Sequence, residues 1–129
     1  MKKLVAVLMG GLSGERKISF LTGKACSDAL KKKGFKVVNL DAKGNFAKQI
    51  NKLKPDIIFN ALHGEFGEDG IVQSVLESFK IPYTHSGVLA SSLAMDKELS
   101  RVIFKKNGLK VPKYFLLQRG YENDFKKKI

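Results

Sequence analysis

The sequence is short of cysteine, arginine and long apolar runs, and each shortage closes off a class of protein. One cysteine, Cys26, leaves no disulfide framework and no thiolate metal site. Its position on what periodicity makes an apolar helix face suits a core thiol better than a nucleophile. No run of about 18 apolar residues occurs, so the sequence offers no membrane-spanning helix. The opening Met1–Met9 joins a basic end to an apolar stretch, as a signal peptide does. Gly10-Gly11 cuts that stretch short, however, and no small-residue cleavage pattern follows. These features point to a cytoplasmic protein. Arginine occurs only as Arg16, Arg101 and Arg119, although the net charge is +12. DNA-groove readers lean on bidentate arginine. Here the charge is lysine, grouped at 31–33, 52–54, 105–106 and 126–128 near helix ends, where it complements the helix dipole. That is the pattern of a solvated surface, not of a nucleic-acid interface. Repeats and low-complexity segments are also missing.

What is present is an ordinary globular composition, 43% hydrophobic and 28% charged, over 129 residues, which suits one domain. Lys3–Met9 reads as a strand buried on both faces. Ile18, Leu21, Ala25, Ala29 and Leu30 recur at helical spacing, and Gly34 stops that helix. Phe35–Leu40 is a second strand, and Phe46, Ile50 and Leu53 mark a short helix closed by Pro55. Asp56–Leu62 is a third strand, followed by a helix through Ile71, Val72, Val75, Leu76 and Phe79. Ile81–Thr84 is expected to form a fourth strand. Ser86 is placed to cap a turn over Val88–Ala94, and Asp96 to cap a helix running to about Asn107. Val111–Gln118 reads as one more strand. Strands alternating with helices imply an α/β fold with a parallel sheet.

In such sheets ligands gather at the carboxyl ends of the strands. Two glycine-rich loops stand there. The first, Gly10-Gly11-Leu12-Ser13-Gly14-Glu15-Arg16, is neither a dinucleotide fingerprint nor a Walker A loop. Its glycines let backbone approach a ligand, and the helix start behind it favours anions. Glu15 is either a favourable first-turn acid or a carboxylate held over the strand ends for an amino group. Arg16 is its partner or a clamp on the backbone. The second loop, His63-Gly64-Glu65-Phe66-Gly67-Glu68-Asp69-Gly70, puts His63 directly behind an apolar strand, where it serves structure or a site. Glu68 and Asp69 suit helix capping better than a metal, because no second His or spaced carboxylate supports them. Lys97 falls at a helix start, against the dipole; it is a surface lysine or a phosphate ligand.

Three segments taken together resemble the D-alanine–D-alanine ligase family of the ATP-grasp superfamily. They are Val7–Arg16 with Ile18-Ser19; Ala61–Gly64 through Gly67–Gly70 and Gln73; and Pro82–Thr84, Ser86–Ser91 and Ala94–Lys97. The resemblance runs in register over nearly the whole chain. It implies a Rossmann-like (pre-ATP-grasp) domain with a mainly parallel sheet and helices on both faces. It implies the N-terminal part of an enzyme that uses ATP and Mg²⁺ to join two D-alanines for peptidoglycan, through an acyl phosphate. By the same resemblance Glu15 holds the first D-alanine's ammonium and His63 lines the pocket. Ser13 and Ile18 lie on its wall, and Lys97 reaches toward the nucleotide phosphates. A homodimer is implied, with no nucleic-acid or membrane partner.

Two departures stand out. His85 occupies a turn position that is often glycine in relatives, and Ser74 replaces a common glycine. By the resemblance, residues 1–109 form the substrate-side domain and 110–129 the first strand and start of a central domain. The Mg²⁺ ligands, the oxyanion arginine and the serine–tyrosine partners of Glu15 are expected beyond Ile129, so the chain alone is expected to be inactive. The alternative is a stand-alone small-ligand module of flavodoxin-like type.

Overall fold

The computed structural model describes residues 2–116. Along them the elements run β1 (Leu4–Met9), α1 (Arg16–Lys32), β2 (Lys36–Asp41), α2 (Phe46–Leu53), β3 (Ile57–Asn60), α3 (Ile71–Ser78), α4 (Val88–Met95) and α5 (Lys97–Lys106). The sheet is parallel, in the order β2-β1-β3. β1 is central and apolar on both faces, as a strand covered twice must be. Val5, Val7 and Met9 pack with Phe20 and Leu30 of α1. Ala6 and Leu8 pack on the opposite side with Phe46 and Ile50 of α2 and Val72 and Leu76 of α3. Helices therefore cover both faces, as expected.

The helix ends follow local chemistry. Gly34 takes φ +90, its amide reaches Lys31 O, and Phe35 N reaches Leu30 O, the Schellman pattern that terminates α1. Gly108 closes α5 in the same way, with Leu109 N on Phe104 O. Asp96 caps α5 by accepting from the amides of Glu98 and Leu99.

Four expectations need correction. The face of α1 toward the sheet is Ser19, Gly23 and Ser27, not the Ile18–Leu21–Ala25 stripe, and Ile18 and Leu21 are exposed. Small residues let the helix approach β1 closely: a Cβ on Gly23 would stand 2.7 Å from Met9 Cβ. Cys26 consequently lies half-buried. The fourth strand shrinks to a single parallel bridge, Ile58 with Tyr83. Pro82 has no amide to donate, and positive φ at Lys80 and His85 turns the chain in and out. Ser86 does not cap α4; Gly87 holds that position without a side-chain bond. Finally, residues 111–116 form no strand, since no neighbouring strand among the described residues pairs with them. The rest of that expected strand lies outside the described residues, as does the lysine group at 126–128.

Candidate functional site

β1 and β3 are neighbours, yet their chains leave in opposite directions. β1 leads into α1 on one face and β3 toward α3 on the other. The two glycine-rich loops thus flank a crevice at the carboxyl ends of the strands, the place where open α/β sheets take ligands.

Backbone geometry builds the first loop. Gly10 and Gly11 both take left-handed φ, +77 and +79, which side chains resist. Ser19 then ties the strand ends together: its Oγ accepts from Gly10 N at 2.8 Å and donates to Ala61 O at 2.7 Å. Ser13 Oγ crosses to the second loop, donating to His63 O at 2.7 Å and accepting from Glu15 N at 3.2 Å. Glu15 stands at the N-cap of α1, but its side chain makes no capping bond. It is exposed and forms no ion pair among the described residues. Its carboxylate lies over Gly64, where a Cβ would strike Oε2. Gly64 itself has φ +69, so glycine is required there on two counts.

Arg16 is the backbone clamp and not the partner of Glu15. Its Nη1 donates to Gly11 O at 2.8 Å and to Asp41 Oδ1 at 2.7 Å, and Nη2 completes a fork on Asp41 Oδ2. The hydrogen-bonded guanidinium holds the Asp41 carboxyl well below the usual carboxylate range, against an opposing desolvation penalty. The amides of Lys43 and Gly11 assist.

The second loop is fixed from within. The side-chain amides of Asn60 and Gln73 both donate to Gly67 O, at 3.0 and 2.9 Å. Glu68 accepts from Gly64 N at 2.8 Å, and Asp69 from the amides of Phe66 and Ile71. Both acids serve the backbone of the loop, and the expectation that they cap and charge the following helix is corrected: Gly70 is the N-cap of α3, with no side-chain capping bond and no acid in the first turn. His63 is held from two sides: Nε2 lies 3.0 Å from Thr22 Oγ1, and Nδ1 lies 3.8 Å from Glu68 Oε1. A cleft of about 280 Å³ continues from this loop, lined by Asn60, Leu62, Glu68, His85, Ser91 and Met95. Outside that lining, desolvation, reinforced by its bond to Glu77, raises the Tyr83 pKa.

Of the expected site residues, the fold brings Ser13, Glu15 and His63 together. Ile18 stands exposed on the first turn of α1. Lys97 opens α5, exposed, with no ion pair among the described residues. Sequence reasoning missed Asp41, Thr22 and Ser19 as organisers. The available signals were Asp41 at a strand end and Thr22 and Ser19 just past Glu15 on a helix. Among the described residues, no group of three or more His, Cys, Asp or Glu is arranged to hold a metal ion.

A family model described as "D-ala D-ala ligase N-terminus" matches residues 39–86. Similar curated proteins include a D-alanine–D-alanine ligase of Pelagibacter ubique, 56% identical over 88% of this chain and 38% of that protein. Another, of Parvibaculum lavamentivorans, is 53% identical over 91% of this chain and 38% of that protein. Among solved structures, the Bacillus anthracis D-alanine–D-alanine ligase complexed with ATP superposes with TM-score 0.80 at 32% identity. That match covers 98% of this chain and 43% of the other. The chain spans well under half the length of these relatives.

Proposed function

We propose, from the matching family model and the similarity to D-alanine–D-alanine ligases in sequence and fold, that the chain supplies the substrate-side half of such an enzyme. The complete reaction joins two D-alanines at the expense of ATP. The observation that carries this is the uncapped, unpaired carboxylate of Glu15, held over Gly64 in the crevice between β1 and β3. A first-turn acid serving only its helix would be spent on backbone amides; this one is free for a ligand. A carboxylate there suits the ammonium of the first amino acid. Ser13 and His63 form the wall beside it; Ile18, exposed on the first turn of α1, is assigned to the same wall by family resemblance alone.

The chemistry follows from charge. Holding the ammonium at Glu15 aims the same molecule's carboxylate outward, toward a nucleotide bound by the other half. Transfer of the γ-phosphoryl group makes an acyl phosphate, and the second D-alanine's amine displaces phosphate to form the dipeptide of peptidoglycan. Lys97 is a mobile point charge suited to phosphate. The described residues do not fit Mg²⁺, having no cluster of acids for it, so no step here runs through the metal. Positioning and charge stabilisation of the phosphoryl group require the second half. We assign that half to a central domain starting at residues 110–129, and the whole to a cytoplasmic homodimer without nucleic-acid or membrane partners. Among the described residues no helix is long and apolar enough to cross a membrane.

The test is ADP release with D-alanine and ATP. The 129-residue chain alone should give none above background, and the chain joined to an ATP-grasp half from a close relative should turn over. Robust turnover by the isolated chain contradicts the division of labour, and an inactive but folded joined protein contradicts the assignment.

A further inference from the structure

We infer that Arg16 and Asp41 form a positioning pair that fixes the Glu15 carboxylate for the ammonium of the first D-alanine; the inference rests on the role proposed for Glu15. The pair departs from an ordinary surface salt bridge in its connections. Five of its bonds end on backbone or on each other around one loop. Arg16 grips Gly11 O and both carboxylate oxygens of Asp41. Asp41 in turn accepts from Gly11 N at 3.4 Å and Lys43 N at 2.9 Å. The guanidinium also lies 4.7 Å above the Phe20 ring, one turn into α1. The end of β2, the loop after β1 and the start of α1 are therefore held by one fork.

The space is shaped for it. A Cβ on Gly10 would fall 2.5 Å from Asp41 Oδ1 and 2.8 Å from both Arg16 Nη1 and Phe20 Cζ. The parallel register sets Asp41 opposite Met9, the last residue before the loop. The side chains are 32% and 40% exposed, and pairs of that exposure contribute little to stability. What the fork fixes is direction. Glu15 precedes Arg16, has no side-chain capping bond of its own, and is otherwise tethered through its backbone alone, its amide to Ser13 Oγ and its carbonyl to Ser19 N. With Arg16 clamped and Ser13 bonded to His63 O, the backbone on both sides of Glu15 is pinned, which pre-organises its carboxylate.

The experiment uses the active joined protein and compares wild type with D41N, D41E, R16K, E15Q and E15Q/D41N. The pair predicts that D41N raises KM for the first D-alanine about tenfold, with KM for ATP and kcat within about twofold, as for a misplaced binding group. D41E keeps the ion pair and should recover most of the affinity; R16K keeps the charge but not the fork and should fall between. In the E15Q background D41N should add nothing. The inference is overturned if E15Q raises KM while D41N does not. It is equally overturned if the two effects multiply, or if D41N damages D-alanine and ATP kinetics alike. An E15Q variant with unchanged KM overturns instead the role of Glu15. In that case amide hydrogen exchange over residues 10–15, accelerated in D41N or not, still decides whether the pair holds the loop.

Discussion

At the scale of single residues, the site depends on which carboxylates are satisfied by the fold and which are not. Glu68, Asp69 and Asp96 are all bonded to backbone amides. Asp41 is held by Arg16, and Glu15 is left over. That contrast was partly legible in the sequence. Glu15 and His63 announce themselves because glycines and a strand end locate them; Ser13 comes from the family resemblance. Asp41 and Thr22 do not, since their roles depend on strand register and on the turn of a helix, neither of which a sequence prints. Two predictions belong here. Gly64→Ala meets both a left-handed φ and the Glu15 carboxylate. It should lower stability by about 1–2 kcal/mol in chemical denaturation and weaken D-alanine binding in the joined protein. Asp41 gives a pH dependence with a definite sign. Its native pKa is lowered, chiefly by Arg16, so in acid the unfolded chain binds a proton that the native chain refuses. The stabilisation is whole above the ordinary carboxylate pKa of about 4 and is lost as pH falls below it. Urea midpoints measured from pH 6 down to pH 3 should therefore drop more steeply for wild type than for Asp41→Asn.

At the scale of elements, α1 shows where periodicity misleads. Its large aliphatic residues Ile18 and Leu21 are at helical spacing, but they face outward, while Ser19, Gly23 and Ser27 face the sheet. A hydrophobicity pattern finds the greasy face; it does not find a face chosen for closeness. Gly23→Ala tests this. In an exposed helix the change would stabilise by up to about 1 kcal/mol. Against Met9 Cβ at 2.7 Å, overpacking should dominate and the chain should lose about 1 kcal/mol or more. Leu21→Gln should leave the unfolding free energy of the isolated chain within about 0.5 kcal/mol of wild type, as for an exposed position. The missing fourth strand has a similar origin. Ile81–Thr84 has strand composition, but proline and the flanking positive φ values limit it to one bridge. Helix ends were easier to read, because Gly34, Gly108 and Asp96 act on their immediate neighbours and need no tertiary context.

At the scale of the whole molecule, parallel pairing was readable from the alternation of strands and helices, whereas the strand order with β1 at the centre is set by tertiary pairing. The crevice follows from the chains of β1 and β3 leaving to opposite faces. On the proposed function the crevice is one wall of a site, with Glu15 for an ammonium; among the described residues no group of three or more His, Cys, Asp or Glu is arranged to hold a metal ion. The chain spans 38% of the length of the Pelagibacter ubique ligase. The account stands on Glu15, and the most direct measurement is the KM for the first D-alanine in Glu15→Gln of the joined, active protein. Loss of a charge-assisted contact worth about 1.5–3 kcal/mol should raise that KM roughly 10- to 100-fold, with KM for ATP nearly unchanged. An unaltered KM for D-alanine would contradict it.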